Sequence, residues 1–434
     1  MENRSDIVIV SAYGRGIWLA QQLARLGHSV AYLDTSDKIG KWNAEDWEGP
    51  FGLFKKETLD ETQWAHWSLM GEVKEIPPGY TFWLPSGPLE FRGPLFDFTA
   101  SRTGLKPELI EYLKNFDTLE LSHQHALKRF IEKSHTDGVW PALFAHQIAS
   151  SYYNMDRHRL ISEKPLSLFA PFYVRKVGQQ LPQISQHLGK DKKIKYFPKA
   201  RIEDLSLQGR SLDAIEVASE QSGVVRGRYF VWMVTSEETK NFSERVQTKL
   251  YPKGVLASSW CWLRYELEFP DGPESDVLPD YFVLVKDMHL PWTHANVCLV
   301  KRSENRKKFF AWIRVAAARR FQRSYLHEMG ELILQQLKER LPALQVTITG
   351  MPAEHTHTLE ELGAPKWPVY QTSSNAFQKT QIKNLYYGSF EDSSTLHRNE
   401  QYDLQKKLLE TIVRAETELK KKTEVKRDSE IHPS

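Results

Sequence analysis

The stretch that decides the fold is Asp6-Ile-Val-Ile-Val-Ser-Ala-Tyr-Gly-Arg-Gly-Ile-Trp-Leu-Ala20, which continues through Gly27 to His28-Ser-Val-Ala-Tyr-Leu-Asp34. Residues 7–10 are apolar and β-branched, as is typical of a buried parallel strand. An apolar face with helical spacing follows, and Gly27 is placed to end that helix. Residues 30–33 repeat the strand pattern. The stretch therefore predicts a strand, a tight turn, a helix, a second strand and then an acid.

The turn after the first strand is compared with the G-x-G-x-x-G pattern of dinucleotide-binding proteins. There the first glycine makes the turn, the second lets a pyrophosphate approach the backbone, and the third packs the helix on the strand. These positions hold Ser11, Tyr13 and Gly16. A register that starts at Gly14 would put Leu19 at the third position and move the turn away from the strand end. We prefer the first register, in which Tyr13 places a side chain where a phosphate would meet the backbone.

Asp34 lies close to the spacing of about 20 residues at which an acid contacts the adenosine ribose. The sequence therefore predicts that Asp34 binds the ribose hydroxyls of a dinucleotide. One alternative is a doubly wound unit in which Asp34 only caps a loop. Another is a different nucleotide, such as a nicotinamide cofactor or a nucleotide sugar, held by the same acid.

Composition limits the class of protein. A length of 434 residues predicts two or three structural units, and 41% hydrophobic with 26% charged residues is ordinary for a globular chain. The net charge of +3 is too small to indicate a nucleic-acid partner. Two cysteines, Cys261 and Cys298, give no disulfide framework and predict a reducing, cytoplasmic location. We expect no signal peptide and no membrane span, because the first strand begins almost at once and no apolar run is long enough.

Few motifs indicate another chemistry. The pairs His123/His125 and His355/His357 have an H-x-H spacing, but zinc usually needs three or four ligands. We therefore expect surface or packing roles for these histidines and no metal site. The chain has neither a Gly-x-Ser-x-Gly elbow nor a phosphate loop that ends in Gly-Lys-Ser/Thr.

Hydrophobic patterns predict the elements along the rest of the chain. We expect a hairpin within 80–91, mostly helical structure over 107–165, a helix over 174–188 and a strand over 224–234, part of which returns to the first sheet. Alternating apolar and polar residues over 259–320 predict an antiparallel sheet with one wet face. A closing helix is expected over 399–419, followed by a polar, disordered tail.

This order resembles the superfamily of flavin-dependent amine oxidases, protoporphyrinogen oxidases and phytoene desaturases. Four short stretches carry the resemblance: the 6–34 unit, the loop Ile-Gly-Lys-Trp at 39–42, the return strand at 229–235, and Asn-Leu-Tyr-Tyr-Gly-Ser-Phe at 384–390. The loop matches a Gly-Gly-Arg-type loop at Gly40 and departs from it at Lys41. The last stretch matches Asn-Leu-x-x-Ala-Gly-Asp at the small position, Gly388, while Ser389 and Phe390 replace the Gly-Asp pair.

The resemblance implies an α/β fold with a Rossmann-like FAD/NAD(P)-binding domain, split in sequence, and an inserted α+β substrate-type domain. The first part of the nucleotide domain would cover 1–104, its return 191–258 and its C-terminal part 351–419. The inserted domain would comprise a mainly helical part at 105–190 and the antiparallel sheet at 259–350. A disordered tail would cover 420–434.

The resemblance also implies a function, hydride transfer from a small apolar or amine substrate to FAD. It identifies no catalytic residue, and the implied cofactor contacts are Ser11, Tyr13, Gly14, Gly16, Asp34, Gly40, Gly388 and Ser389. The departures at Tyr13, Lys41 and Phe390 together predict that FAD binding is weak, altered or absent. The alternative function is that of a non-catalytic pseudoenzyme that uses the flavoprotein fold to bind a small-molecule ligand or a protein partner.

Overall fold

A computed structural model describes part of the chain, and every structural statement below concerns that part. It comprises residues 2–36, 53–55, 73–75, 79–84, 87–92, 172–175, 188–218, 223–252, 260–269, 278–279, 281–287, 296–303, 308–351, 368–369, 381–389 and 401–431. The helices predicted over 107–165 and both H-x-H pairs lie outside these ranges.

Twenty strands and five α-helices are described. The strands are β1 (Glu2–Arg4), β2 (Ile7–Ser11), β3 (Val30–Asp34), β4 (Leu53–Lys55), β5 (Val73–Glu75), β6 (Gly79–Leu84), β7 (Gly87–Arg92), β8 (Phe172–Arg175), β9 (Ile194–Phe197), β10 (Arg201–Gln208), β11 (Ser211–Ala218), β12 (Gly223–Arg226), β13 (Tyr229–Trp232), β14 (Trp260–Glu268), β15 (Tyr281–Val285), β16 (Val297–Arg302), β17 (Lys308–Ala316), β18 (Thr347–Gly350), β19 (Pro368–Val369) and β20 (Leu385–Tyr387). The helices are α1 (Ile17–Arg25), α2 (Ser236–Thr239), α3 (Glu244–Leu250), α4 (Arg323–Arg340) and α5 (Gln401–Ile431).

A five-stranded parallel sheet forms the first core. Its spatial order is β20-β13-β2-β3-β9, and every neighbouring pair is parallel. Numbered along the chain, this is the order 3-2-1-4-5 of a Rossmann sheet. All residues of β2 and β3 are buried, as their apolar sequences predict. The Rossmann-like α/β fold is confirmed, and its strand order reverses between β2 and β13.

A larger, mostly antiparallel sheet forms the second core. Its order is β18-β14-β17-β16-β15-β6-β7, with β19 beside β14. Helix α4 covers one face through Met329, Ile333 and Leu337, which are buried in the same cluster. The prediction of one wet face is wrong for β17, where seven consecutive residues are buried. Its second face carries Phe310 and Trp312, and such aromatic side chains bury large areas.

The predicted hairpin at 80–91 is present as β6 and β7, but it belongs to the larger sheet. β6 pairs in parallel with β15 and antiparallel with β7. Residues 79–84 and 87–92 therefore do not extend the nucleotide-binding sheet, whereas the predicted unit 1–104 places them in the nucleotide-binding domain. Backbone hydrogen bonds to β15, which pairs Phe282 with Thr81, decide this placement.

Two other predicted elements are also corrected. The strand predicted over 224–234 is two strands in different sheets, since β12 pairs with β1 and β11 while β13 pairs with β2 and β20. The chain turns between them at Gly227, where a Cβ atom would lie 2.7 Å from Val8 Cγ2. The helix predicted from residue 174 begins inside strand β8, which pairs with β4 and β5.

The tail predicted to be disordered is helical for most of its length. Helix α5 begins at Gln401 and continues to Ile431, so the prediction of disorder is wrong for residues 420–431. Lysine, arginine and glutamate are good helix formers. Opposite charges recur here four residues apart, as in Glu418/Lys422 and Lys420/Glu424, a spacing that favours helix.

The described residues form neither a membrane-spanning helix nor a cluster of metal ligands. None of their helices combines the length and the apolar character that a membrane crossing requires. In the same part of the chain, no three histidine, cysteine, aspartate or glutamate side chains come together as metal ligands.

Candidate functional site

The turn between β2 and α1, residues 12–16, has an unusual backbone. Tyr13, Gly14 and Gly16 have φ angles of 53°, 75° and 75°. Glycine adopts this left-handed region readily, whereas a residue with a Cβ atom is strained there by about 1–2 kcal/mol. Gly16 is the N-cap of α1. The sequence therefore keeps the sharp turn of the fingerprint but makes it with one strained non-glycine residue.

The side chain and the backbone of Tyr13 are both engaged inside the protein. The residue is 5% exposed, and its backbone N–H donates to Ser36 Oγ at 2.7 Å. The Arg15 guanidinium carbon lies 5.6 Å from the centre of its ring. Burial raises the pKa of Tyr13 well above its ordinary value, and the Glu238 carboxylate raises it further. Tyr13 is therefore a neutral, buried phenol at neutral pH.

Arg15 joins the turn to the loop after β13. Its guanidinium forms a partly buried, bidentate ion pair with Glu238, in which Nη1 donates to Oε2 at 2.7 Å and Nη2 donates to Oε1. Nη1 also donates to the Met233 carbonyl at 3.0 Å. Paired donors of this kind recognise carboxylates and phosphates in one fixed geometry. Here the chain's own carboxylate takes that position.

The carbonyl groups of Ser11 and Arg15, at the two ends of the turn, accept hydrogen bonds from buried groups around it. The Tyr32 hydroxyl donates to the Arg15 carbonyl at 2.6 Å, and the Ser11 hydroxyl donates to the same oxygen. Thr35 donates to the Ser11 carbonyl through its backbone N–H and its hydroxyl, at 2.8 and 2.9 Å. Because these groups are buried, the hydrogen bonds fix the conformation of the turn.

Asp34 lies at the end of β3, as predicted, but both of its carboxylate oxygens are used internally. Oδ1 accepts from the Ser36 N–H at 3.0 Å and from the Ser36 hydroxyl. Oδ2 accepts from the Tyr196 hydroxyl at 2.9 Å. Burial raises the pKa of Tyr196, and the charge of Asp34 raises it further, so Tyr196 stays a donor. The acid predicted to bind a ribose is 7% exposed.

Met233 fills the space between the turn and the last strand. A Cβ atom on Gly16 would lie 3.3 Å from Met233 Cγ and Cε, and one on Gly388 would lie 2.5 Å from Met233 Sδ. The Gly388 N–H donates to the Trp232 carbonyl at 2.9 Å. Met233 is 2% exposed and follows β13 directly. It therefore occupies the switch point of the sheet, where open α/β folds bind their ligands.

The structure brings most of the predicted site residues together. Ser11, Tyr13, Gly14 and Gly16 form the turn, Asp34 is linked to it through Ser36, and Gly388 reaches it through Met233. Ser389 is buried beside Gly388. Gly40, Lys41 and Phe390 lie outside the described residues.

Sequence reasoning missed the residues that fill this site, namely Arg15, Ser36, Tyr196, Met233 and Glu238. The only local signal was Thr235-x-x-Glu238, which is a capping-box pattern and does form one. The other contacts join residues that are far apart in sequence.

As arranged, these groups do not fit an adenosine diphosphate. The Tyr13 N–H, the Arg15 guanidinium and both oxygens of Asp34 would have to exchange internal partners for the ligand. Met233 would also have to leave the space between Gly16 and Gly388.

Comparison with known proteins identifies the fold. No family model matches the sequence, and no curated protein matches it. Among solved structures, an oxidoreductase from Methanosarcina mazei aligns with a TM-score of 0.60 at 12% identity, covering 94% of this chain and 100% of that one. Wild-type putrescine oxidase bound to putrescine aligns with a TM-score of 0.55 at 11% identity, covering 95% and 100%.

Cyclohexylamine oxidase from Brevibacterium oxydans gives a TM-score of 0.55 at 14% identity, covering 95% of this chain and 99% of that one. At such identities the likeness concerns the fold, and it extends over both cores. The chain therefore shares the fold of these oxidoreductases, built on a Rossmann-like sheet.

Proposed function

We propose that this chain is a non-catalytic protein of the flavoprotein fold, which binds a ligand or a protein partner without using FAD. The observation that carries the proposal is the state of Asp34. The carboxylate that would bind the adenosine ribose accepts hydrogen bonds from Ser36 and Tyr196 instead. A buried acceptor that is already satisfied gains little from exchanging one partner for another.

The cost of opening the turn supports the same proposal. Leaving a buried donor or acceptor unsatisfied costs about 1–3 kcal/mol, and FAD would have to compensate this at several groups. Breaking the Arg15–Glu238 pair adds to that cost, because each buried charge then loses its partner. FAD binding would therefore require a rearrangement of the turn.

The second candidate is a flavin-dependent oxidoreductase that acts on a small apolar or amine substrate. The second face of the larger sheet favours it, because this face is aromatic and buried. Arg314 lies 5.0 Å from the ring of Trp262, and Arg264 lies 4.7 Å from the ring of Phe310. Burial lowers the pKa of Arg314 to about 9. Aromatic side chains of this kind commonly line the pockets of apolar ligands.

Flavin content separates the two candidates. The protein is purified without added cofactor, its flavin absorbance is recorded before and after denaturation, and FAD is then titrated into the colourless fraction. We expect no bound flavin and no uptake. Bound flavin together with turnover of putrescine or cyclohexylamine would overturn the proposal and establish the second candidate.

A pair of variants tests whether Asp34 carries the effect. The double variant Ser36→Ala/Tyr196→Phe removes the side-chain donors to Asp34, and we expect it to bind FAD or ADP more tightly than the wild type. Tyr386→Phe is the matched control, because Tyr386 is a partly buried tyrosine of the same sheet, in β20. Equal affinity of the double variant and the control would contradict the role given to Asp34.

A further inference from the structure

We infer that Glu238 is a built-in anion for Arg15, and that the turn becomes a binding site for a diphosphate group when this carboxylate is neutralised. The inference rests on the proposed function, in which the turn is closed in the wild type. It goes further by assigning the blocking of the Arg15 donors to one removable charge, separate from the contacts of Tyr13, Asp34 and Met233, and by naming the class of ligand that these donors take.

The geometry of the pair carries the first step. Each carboxylate oxygen of Glu238 accepts from one terminal nitrogen of Arg15, and the side chains of Glu238 and Arg15 are 8% and 15% exposed. A guanidinium presents the same fork to a carboxylate and to a phosphate. Glu238 therefore satisfies Arg15 in the way that a phosphate would, and a diphosphate cannot reach those donors while the pair is intact.

The place of Arg15 in the fold supplies the second step. Arg15 directly precedes Gly16, the N-cap of α1, and it donates to the carbonyl of Met233 directly after β13. The ion pair thus bridges the two strands between which the strand order reverses. Ligands of open parallel sheets bind outside the carboxyl ends of the strands at this point. A diphosphate, with more negative charge than the carboxylate, is the ligand that suits an arginine there.

Glu238 can be neutralised without removing its structural role. It is the N3 residue of a capping box, in which its side chain accepts from the Thr235 N–H at 2.9 Å. Glutamine serves equally at this position of a capping box. Glu238→Gln therefore keeps the cap of α2 and removes the charge that neutralises Arg15.

The chain offers a matched control one residue away. Glu237 lies on the same short helix and is equally buried, but its partner is Lys240 at 3.0 Å. Glu237→Gln removes the same charge from the same helix and leaves the Arg15–Glu238 pair in place.

Isothermal titration of full-length protein with inorganic pyrophosphate tests the inference. We expect Glu238→Gln to bind pyrophosphate at least tenfold more tightly than the wild type and Glu237→Gln. The gain should disappear in Arg15→Gln/Glu238→Gln. Equal binding by Glu238→Gln and the wild type would overturn the inference, as would a gain that persists in the double variant.

Two further readouts keep the result unambiguous. Thermal unfolding and far-UV circular dichroism of each variant confirm that the titrated protein is folded. If Glu238→Gln unfolds, the same titration is made in the presence of an osmolyte that restores its folding, with the same expectation. Flavin bound to the wild type would defeat the proposed function, whereas a flavin-free wild type with an unresponsive Glu238→Gln would defeat only the present inference.

Discussion

Among single residues, Tyr13 shows how the turn keeps the backbone conformation of the dinucleotide fingerprint although its side-chain contacts differ. Its backbone is in the left-handed region that glycine normally occupies, and its ring is buried in the space that glycine leaves open. The strain of about 1–2 kcal/mol persists because the surrounding contacts stabilise that conformation. The sequence alone predicts the conflict at this position, since any side chain at the second glycine position meets the ligand.

The first prediction concerns Tyr13→Gly. Glycine relieves the strain and opens the turn, but it removes a buried ring, whose loss typically costs about 3–5 kcal/mol. We expect a net loss of about 1–4 kcal/mol in the free energy of unfolding and tighter FAD binding, measured by urea unfolding and by fluorescence titration.

Lys199→Gly is the control for the backbone effect in that experiment. Lys199 has a φ of 51° but is exposed and lies outside the turn. This variant should leave FAD binding unchanged and alter stability by less than about 1 kcal/mol. FAD affinity of Tyr13→Gly equal to that of the wild type would mean that the ring does not obstruct the site.

The second prediction concerns the pH dependence of stability at Asp6. Burial raises the pKa of Asp6, but hydrogen bonds from the Ser29 N–H and hydroxyl, at 2.9 and 2.8 Å, together with Arg228, lower it below its ordinary value. A depressed folded-state pKa gives stability that is present above the unfolded pKa and is lost as pH falls through the folded value.

Asp6→Asn should therefore be less stable than the wild type at neutral pH, by about 1 kcal/mol or less because Asp6 is partly exposed. The difference should disappear in acid below the pKa of Asp6. Urea unfolding at a series of pH values measures it. The same difference at every pH would show that the effect comes from packing and does not depend on the charge.

Among the elements, those with local patterns could be predicted from sequence. The unit β2–α1–β3 has strongly periodic apolar residues, and its strands and helix are found at the expected positions. The break between β12 and β13 coincides with Arg226-Gly227-Arg228, which interrupts the apolar residues, but the assignment of the two strands to different sheets depends on long-range pairing with β1 and β2. The sequence does not predict the extension of α5 beyond residue 419, because the polar, charged composition there is also typical of a disordered tail.

The third prediction concerns the anchor of α5. Glu416 is 5% exposed and accepts from Arg228 Nη1 at 2.6 Å, which ties the helix to the segment before β13. We expect Glu416→Gln to lower the free energy of unfolding by about 1 kcal/mol, since a hydrogen bond between charges becomes one to a neutral amide. Glu418→Gln is the control, because Glu418 is exposed on the same helix. Thermal unfolding of both variants should separate them, and equal midpoints would mean that the ion pair does not anchor α5.

In the whole molecule, the nucleotide-binding core is assembled from three distant parts of the chain. Its buried cluster includes Val8 from the N-terminal part, Phe230 from the middle and Ile412 from the C-terminal part. The candidate site has the same origin, since Arg15 meets Glu238, and Tyr196 meets Asp34, only after folding. Pattern reading places each segment in an element, but it cannot predict which side chains from separate segments will pair. The fold was therefore more predictable than the contents of the site.

The last prediction tests whether the two cores are separate folding units. Ile412 in α5 and Ile333 in α4 are both 0% exposed, and each belongs to only one of the two buried clusters. We expect Ile412→Ala and Ile333→Ala to cost about 2–4 kcal/mol each in the free energy of unfolding, as large-to-small core substitutions do.

Amide hydrogen exchange should show that Ile412→Ala lowers protection in β2 and β3, at the other end of the chain, while β16 and β17 keep theirs. Ile333→Ala should have the opposite pattern, because cooperative units open separately. Equal loss of protection in both sheets for both variants would mean that the chain unfolds as one unit, and the domain division predicted from the sequence would then be wrong.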